Sequence, residues 1–138
     1  MERRNAWKTY TQELDQINDR YKVCLDEGKT ERECIRLTVK EIEKQGYRNL
    51  NDIKGSLKTG DKVYAVCMGK SIAMFRIGKE PLENGMNILG AHIDSPRIDV
   101  KQNPLYENEE LAYLDTHYYG GIKKYQWVTL PLALHGVI

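Results

Sequence analysis

The histidine and the first aspartate of the segment GAHIDSPRID, residues 90–99, have types and a spacing that suit metal binding. A neutral imidazole such as that of His92 is a good zinc ligand, with a bond of roughly 2.0–2.1 Å. The second ring nitrogen of a bound imidazole needs a partner, which a carboxylate such as that of Asp94 supplies. Because side chains alternate along an extended chain, residues two apart point to one face. The spacing therefore suits a metal ligand and a carboxylate that orients it.

A structural role for His92 stays open at this point. The pattern His-x-Asp is short and common by chance, and a hydrogen-bonded structural histidine is the simpler explanation of the tripeptide alone. The other two histidines, His117 near a Gly-Gly turn and His135 in an apolar run, are predicted to be structural. Asp99 and Asp115 could join a site, although nothing in their local sequence requires it.

The cysteines Cys24, Cys34 and Cys67 carry little functional signal. An odd count without C-x-x-C spacing argues against a disulfide framework and against a structural zinc knuckle. None adjoins a histidine or a basic cluster, so the sequence does not suggest a nucleophilic cysteine. Buried free thiols in a reducing compartment are expected.

Composition excludes several classes of partner. The 138 residues include 21 basic and 20 acidic side chains, a formal net charge of +1, which gives no electrostatic argument for nucleic acid or an anionic membrane. No apolar run approaches the roughly 20 residues that span a bilayer. The N-terminus has a basic start without an apolar core after it, so a secretory signal is not expected and the cytoplasm is the default location.

The first half of the chain is predicted to form two amphipathic helices. In the first, apolar residues recur at spacings of three and four and a stop falls at Gly28. The second is predicted to begin with a capping box of Thr30 and Glu33 and to end near Gly46. Two such helices need a surface to cover. The apolar stripe of the first consists of Trp7, Tyr10, Leu14, Ile17, Tyr21 and Leu25.

Strands are predicted to supply that surface. Residues 61–78 indicate a β-hairpin with a turn at Gly69-Lys70, and 86–94, MNILGAHID, indicate a strand buried on both faces. Residues 111–119 and 125–138 also have strand-like composition, interrupted at Pro131 in the latter. The fold class is therefore α/β, and His92 is expected at the carboxyl end of the buried strand, where ligands collect in open α/β sheets.

The segment NILGAHIDSPRIDVK resembles the metal-binding segment of the M18 metallopeptidases, the aspartyl aminopeptidase family, whose pattern is close to G-A/S-H-x-D-S-P. The similarity extends over nearly the whole chain. The helical region resembles the two N-terminal helices of the family, GDKVYAVCMGKSIAMFRIG resembles its hairpin, and THYYGGIKKYQWVTLPLALHGVI resembles the segment that leads into its second domain. The bacterial, clostridial-type branch is the most similar.

The resemblance implies a cytoplasmic enzyme with two zinc ions, replaceable by cobalt or manganese, that removes N-terminal, typically acidic residues from peptides. Residues 1–100 would be the N-terminal part of a zinc-peptidase-type α/β sandwich, and 101–138 the start of an inserted β-rich assembly domain. Family members form dimers that build a dodecamer. By position, His92 would be a metal ligand and Asp94 the catalytic carboxylate that orients it.

Because a two-metal hydrolase needs further carboxylates, a second histidine and a general base, this chain is expected to be an N-terminal fragment that is inactive alone. Two alternatives stay open. The chain could be a non-catalytic association module, since apolar strand edges invite pairing. It could also belong to another dinuclear metal-dependent amide hydrolase with the same His-x-Asp pair.

Overall fold

The structure is a computed structural model and describes residues 10–137 of the chain. These residues divide into two compact units, with the boundary between His92 and Ile93. The described part of the first unit contains two α-helices followed by a three-stranded sheet. That of the second contains a two-stranded sheet followed by a short helix. The predicted order of two helices and then strands is confirmed.

Helix α1 (Thr11–Glu27) ends at the predicted glycine. Gly28 donates its backbone N–H to the carbonyl oxygen of Cys24 at 2.9 Å. A Cβ atom at position 28 would lie 2.7 Å from that oxygen and 2.9 Å from the sulfur of Cys34 on the next helix. The close approach of the two helices at this bend therefore requires a glycine.

The predicted apolar stripe of α1 is largely exposed. Ile17, Tyr21 and Leu25 keep 63%, 60% and 51% of their full accessibility, and no residue of α1 is buried. Trp7, the first member of the predicted stripe, lies outside the described residues. The periodicity thus predicted the helix correctly, while its apolar face is not covered within residues 10–137.

Helix α2 (Glu31–Lys44) has the predicted capping box. The hydroxyl oxygen of Thr30 accepts a hydrogen bond from the Glu33 N–H at 3.3 Å, and the Glu33 carboxylate accepts one from the Thr30 N–H at 2.9 Å. These bonds satisfy N–H groups that have no partner within the helix. The chain leaves the helix through Gly46, whose φ of +86° favours glycine.

The sheet of the first unit has the order β1-β2-β3. Strand β1 (Arg48–Asn49) pairs in parallel with β2 (Lys62–Cys67), and β2 pairs antiparallel with β3 (Ser71–Arg76). The predicted hairpin is confirmed. Its turn places Met68 and Gly69 in the left-handed region, with φ of 53° and 68°, so the turn lies one residue earlier than the sequence indicates.

The core of the first unit is small and comes from α2 and β2. Its buried apolar residues are Ile35 and Ile42 of the helix and Val63 and Tyr64 of the strand. Polar contacts add to it: the Tyr64 hydroxyl donates to Glu43 Oε1 at 2.6 Å. Helix and sheet are therefore joined both by apolar packing and by a hydrogen bond at the edge of the core.

The second unit is a long hairpin. Strand β4 (Arg97–Asn108) pairs antiparallel with β5 (Leu111–Tyr119), with an irregularity in register between Val100 and Leu105. The strand predicted at 111–119 is confirmed. Helix α3 (Lys124–Trp127) follows a short loop after β5.

The hairpin turn has a backbone that suits glycine or asparagine better than its own residues. Glu109 and Glu110 both have positive φ, 51° and 63°. The Glu110 N–H donates to the carboxylate of Glu107 at 2.8 Å, which holds the turn. Near this end of the hairpin, the rings of Tyr106 and Tyr113 stack with centroids 5.2 Å apart.

The prediction of a buried strand over 86–94 is wrong for this structure. Residues 85–96 belong to neither helix nor strand, and Ile88 and Leu89 keep 80% and 100% of their accessibility. A run that is apolar on both faces is stable as a strand only between two neighbours. No described strand pairs with this run, so it stays irregular and exposed.

Residues 125–137 contain no strand, although the composition of 125–138 is strand-like. The segment begins within α3, and residues 131–137 have no regular structure. Pro131 has no N–H to donate to a neighbouring strand. None of the described helices is long and apolar enough to cross a membrane. The predicted division into domains at residue 100 concerns the enzyme as a whole and stays a prediction, although β4 runs through that position.

Candidate metal-binding site

His92 and Asp94 both lie in the irregular segment 85–96, directly before β4. His92 is exposed and Asp94 is half-buried. The sequence placed the imidazole at the end of a strand, whereas the structure places it on irregular backbone. The rule that residues two apart share a face applies to extended strands. The pairing of the two side chains therefore stays a prediction.

The described residues do not complete a zinc site. Within residues 10–137, no group of three or more His, Cys, Asp or Glu side chains is arranged to hold a metal ion. Catalytic zinc normally takes three protein ligands and keeps a fourth position for water or substrate. The types of His92 and Asp94 fit one ligand and one orienting carboxylate.

A second group of titratable side chains lies on the hairpin. Asp99 of β4 and His117 of β5 are partners in register, and His117 Nε2 lies 4.0 Å from Asp99 Oδ2. Arg97 Nε donates to the other carboxylate oxygen of Asp99 at 2.7 Å. The Arg97 guanidinium also lies 4.3 Å from the centroid of the Tyr119 ring. The carboxylate is thus already engaged by a cation, which favours a structural role for this group.

The same face of the hairpin carries a second ion pair. Lys101 Nζ lies 2.9 Å from Asp115 Oδ2, with both side chains about half exposed. Asp99 and Asp115, which the sequence left as possible members of a metal site, are therefore each paired with a cation. The sequence missed the Lys101–Asp115 pair because it depends on the register of β4 against β5. Alternation of charged residues along 97–101, where no strand was predicted, and along the predicted strand 111–119 was the signal that could have revealed it.

The thiols do not form a reactive site. Burial raises the pKa of Cys34, and the nearby Glu33 and Glu31 raise it further, so the thiol form is favoured at neutral pH. Cys24 and Cys67 are exposed and free. His135 is exposed in the irregular segment after α3. The prediction that the three thiols are buried is wrong, because Cys24 and Cys67 are exposed and Cys34 is only half-buried.

The chain matches the model of a known protein family. Residues 24–138 match the model of a family described as aminopeptidase I zinc metalloprotease (M18). The matched range contains His92 and Asp94 together with the Ser-Pro that follows them.

Individual relatives carry related names. A probable M18 family aminopeptidase 1 of Clostridium acetobutylicum is 61% identical, over 99% of this chain and 31% of the relative. A protein of the same description from Thermotoga neapolitana is 45% identical, over 100% of this chain and 30% of the relative. The chain thus spans a little under a third of the length of these curated relatives.

Solved structures share the fold. An M18-family aminopeptidase from Thermotoga maritima matches with a TM-score of 0.82 and 42% identity, over 95% of this chain and 29% of that chain. Aminopeptidase I from Clostridium acetobutylicum matches with a TM-score of 0.73 and 58% identity, over 95% and 30%. The predicted fold class, the α/β arrangement of the N-terminal part of a zinc peptidase, is confirmed.

Proposed function

Because this chain belongs to the M18 family of zinc aminopeptidases, we propose that it forms the N-terminal third of an enzyme that releases N-terminal residues from peptides. Acidic N-terminal residues are the proposed substrates. The observation that carries the proposal is the match over 24–138, which includes the G-A-H-x-D-S-P pattern at 90–96.

His92 is the proposed metal ligand. Its imidazole is exposed, and so it is accessible to an ion and to ligands from elsewhere in a larger fold. Asp94 is the proposed orienting carboxylate; being half-buried, it is restrained better than a fully exposed side chain. A carboxylate of this kind fixes the tautomer and the plane of the imidazole. Both residues thus act in binding and orientation rather than in proton transfer.

The remaining parts of the site are proposed to come from sequence beyond these 138 residues. Two zinc ions, replaceable by cobalt or manganese, are proposed for the whole enzyme. The absence of a three-donor group within residues 10–137 supports the further proposal that the chain alone is inactive. Residues 1–100 are assigned to the catalytic domain and 101–138 to the inserted assembly domain.

Assembly and location complete the proposal. A homo-oligomer, from dimer to dodecamer, is proposed for the whole enzyme, since large apolar side chains of α1 and of the hairpin remain exposed in this chain. The cytoplasm is the proposed location. It is supported by three free cysteines, two of them exposed, which would be prone to oxidation elsewhere.

The exposed apolar surface also favours one alternative, a module whose role is association. Ile17, Tyr21 and Leu89 are more exposed than is usual for such side chains in a monomer. Light scattering separates the two, because an association module would form a defined oligomer of the 138-residue chain. A monodisperse monomer would rule this alternative out.

The test of the peptidase proposal compares the 138-residue chain with the product of the full reading frame that contains it. Both are assayed with aspartyl, glutamyl and leucyl p-nitroanilides, with and without a chelator. Release of the acidic residues by the longer product, abolished by the chelator, is expected, and no release by the short chain. Preference for N-acetyl amino acids over free peptides would instead indicate another dinuclear amide hydrolase.

Variants of the longer product test the residues. His92→Ala is expected to abolish chelator-sensitive activity, and Asp94→Asn to lower it about 10–100-fold. His135→Ala is the matched control, because His135 is also an exposed histidine on irregular backbone. If His92→Ala keeps full activity, His92 is not a ligand. If no variant or wild-type protein shows metal-dependent release with zinc, cobalt or manganese, the peptidase proposal fails.

A further inference from the structure

The second unit contains a cavity between its hairpin and its short helix. The cavity has a volume of about 250 Å³. Its apolar lining comes from Ile98 on β4, Ile122 in the loop after β5, and Trp127 and Val128 at α3. Ile98, Ile122 and Trp127 are each half-buried, so the cavity has a wall that is partly shielded from water.

The polar lining of this cavity is cationic. Lys124 supplies the charge, and no acidic residue lines the cavity; His117 also borders it, but lies beside Asp99, its partner in register. Lys124 Nζ lies 4.0 Å from the centroid of the Tyr118 ring, a cation–π contact that holds the ammonium beside the cavity. No ion pair joins Lys124 to a carboxylate within residues 10–137. Its charge is therefore available to a ligand.

The nearby acids cannot neutralise that charge. Asp99 is bonded to Arg97 and Asp115 to Lys101, and both acids alternate with the strand residues Ile98 and Thr116 that line the cavity. Successive strand residues point to opposite faces, so these ion pairs lie on the other face of the hairpin. The cavity face thus combines apolar walls with an uncompensated cation.

The size of the cavity limits the ligand. An apolar cavity of about 150 Å³ holds a benzene molecule, and drug-sized ligands occupy about 300–1,000 Å³. A volume of about 250 Å³ therefore has room for one benzene-sized group and a small polar substituent. A ligand with a ring against Trp127 and a carboxylate near Lys124 would match both the apolar and the charged lining of the cavity.

We propose that this cavity binds a monocarboxylate on a benzene-sized apolar group, with the apolar group against Ile98 and Trp127 and the carboxylate on Lys124 Nζ. Two sources share this chemistry: a free aromatic carboxylate, and the C-terminal residue of a peptide with an apolar side chain. His92 is not among the residues that line this cavity, and the existence of the site does not depend on the peptidase assignment.

The experiment titrates the 138-residue chain with 3-phenylpropionate and follows backbone amide shifts by NMR. Saturable shifts confined to residues 98, 116–118 and 122–128 are expected. The neutral isostere 3-phenylpropanamide is expected to bind about tenfold more weakly, because it loses the charge-assisted contact. Equal binding of the acid and the amide, or shifts elsewhere only, would overturn the proposal.

Lysine variants make the test specific. Lys124→Met keeps the apolar stem and removes the charge, and is expected to weaken binding of the acid about tenfold. Lys124→Arg should restore most of the affinity, and the adjacent Lys123→Met, outside the cavity lining, should leave it unchanged. An equal effect of Lys123→Met and Lys124→Met would contradict the assigned contact.

A second probe distinguishes the sources. Tighter binding of N-acetylglycylphenylalanine than of 3-phenylpropionate would identify a peptide C-terminus, and equal binding a small carboxylate. If Lys124→Met loses its fold, as judged by dispersion of its amide shifts, Lys124→Gln replaces it in the same comparison. No saturable binding of either acid by the folded wild-type chain would refute the site.

Discussion

Tyr64 of β2 and Glu43 of α2 form a hydrogen bond of 2.6 Å, from the phenolic hydroxyl to Oε1. Tyr64 is 4% exposed, whereas Glu43 is exposed, so the bond reaches from the core of the first unit to its surface. This bond and then burial raise the pKa of Tyr64 above the ordinary tyrosine value. The neutral hydroxyl is therefore a stabilising element of the contact between helix and sheet.

Removal of this hydroxyl is expected to destabilise the first unit. Tyr64→Phe keeps the ring in the core and loses the hydrogen bond, at a cost of about 0.5–1.5 kcal/mol in the free energy of unfolding. The measurement is urea denaturation followed by circular dichroism. Tyr47→Phe is the control, since Tyr47 interacts through its ring, over which Lys62 Nζ lies at 5.7 Å. Equal losses in the two variants would contradict the role of the Tyr64 hydroxyl.

The same bond predicts a dependence on pH. The pKa of Tyr64 is higher in the folded than in the unfolded state, so its contribution is fully present below the unfolded value of about 10 and is lost as the pH rises through the folded value. The stability difference between wild type and Tyr64→Phe should therefore shrink as the pH rises above about 10, the ordinary tyrosine pKa. A difference that stays constant as the pH rises above about 10 would exclude the linkage.

The start of α2 offers a prediction about capping. Thr30→Ala removes the acceptor for the Glu33 N–H and is expected to cost about 1 kcal/mol. Thr38→Ala is a matched control within the same helix. The Thr38 hydroxyl donates to the Cys34 carbonyl, four residues back, a bond that adds little to a helix, and alanine is the better helix former. Thermal melts should show a lower midpoint for Thr30→Ala and an unchanged or higher one for Thr38→Ala.

The helices and the first hairpin were predicted correctly because they depend on residues that are close in sequence. The capping box of Thr30 and Glu33 and the stop at Gly28 involve contacts between residues at most a few positions apart. The hairpin of β2 and β3 likewise depends on a short turn and on two neighbouring runs. Because such structure is determined by adjacent residues, the sequence is sufficient to predict it.

The parts that failed depend on distant partners. Residues 86–94 have the composition of a buried strand, but a buried strand needs neighbours, and none of the described strands pairs with it. The same holds for the site: the sequence could single out His92, whereas a complete set of zinc ligands requires residues brought together by the fold. The ion pair of Lys101 with Asp115 was missed because it depends on the register of the hairpin.

The turn of the β4–β5 hairpin should be improved by substitution. Glu109 and Glu110 occupy left-handed backbone, which costs an L-residue roughly 1–2 kcal/mol each and suits asparagine and glycine. Glu109→Asn with Glu110→Gly is expected to stabilise the hairpin by about 1 kcal/mol, less than the full strain because glycine loses more entropy on folding. The control is Glu109→Gln with Glu110→Gln, which removes the two charges and keeps L-residues at both positions. An equal gain in stability in the control would show that the effect comes from charge and not from the backbone conformation.

Shortening a side chain should destabilise the chain strongly in the small core of the first unit and hardly at all in the exposed run before His92. Val63 is 1% exposed, so Val63→Ala removes about two methylene equivalents from the core and leaves a cavity, at a cost of about 2 kcal/mol. Leu89 is 100% exposed, so Leu89→Ala in the 138-residue chain should change stability by less than about 0.5 kcal/mol.

In the product of the full reading frame the expectation for Leu89 changes. If 86–94 becomes the predicted strand buried between neighbours, Leu89→Ala should cost about 2–5 kcal/mol there, because truncation of the buried side chain then leaves a cavity. Urea denaturation of both variants in both chain lengths measures this difference, and Val63→Ala serves as the reference that should cost about the same in each. A small effect of Leu89→Ala in the longer product would show that the run stays exposed, and the strand that is expected to carry His92 to the metal would then not form.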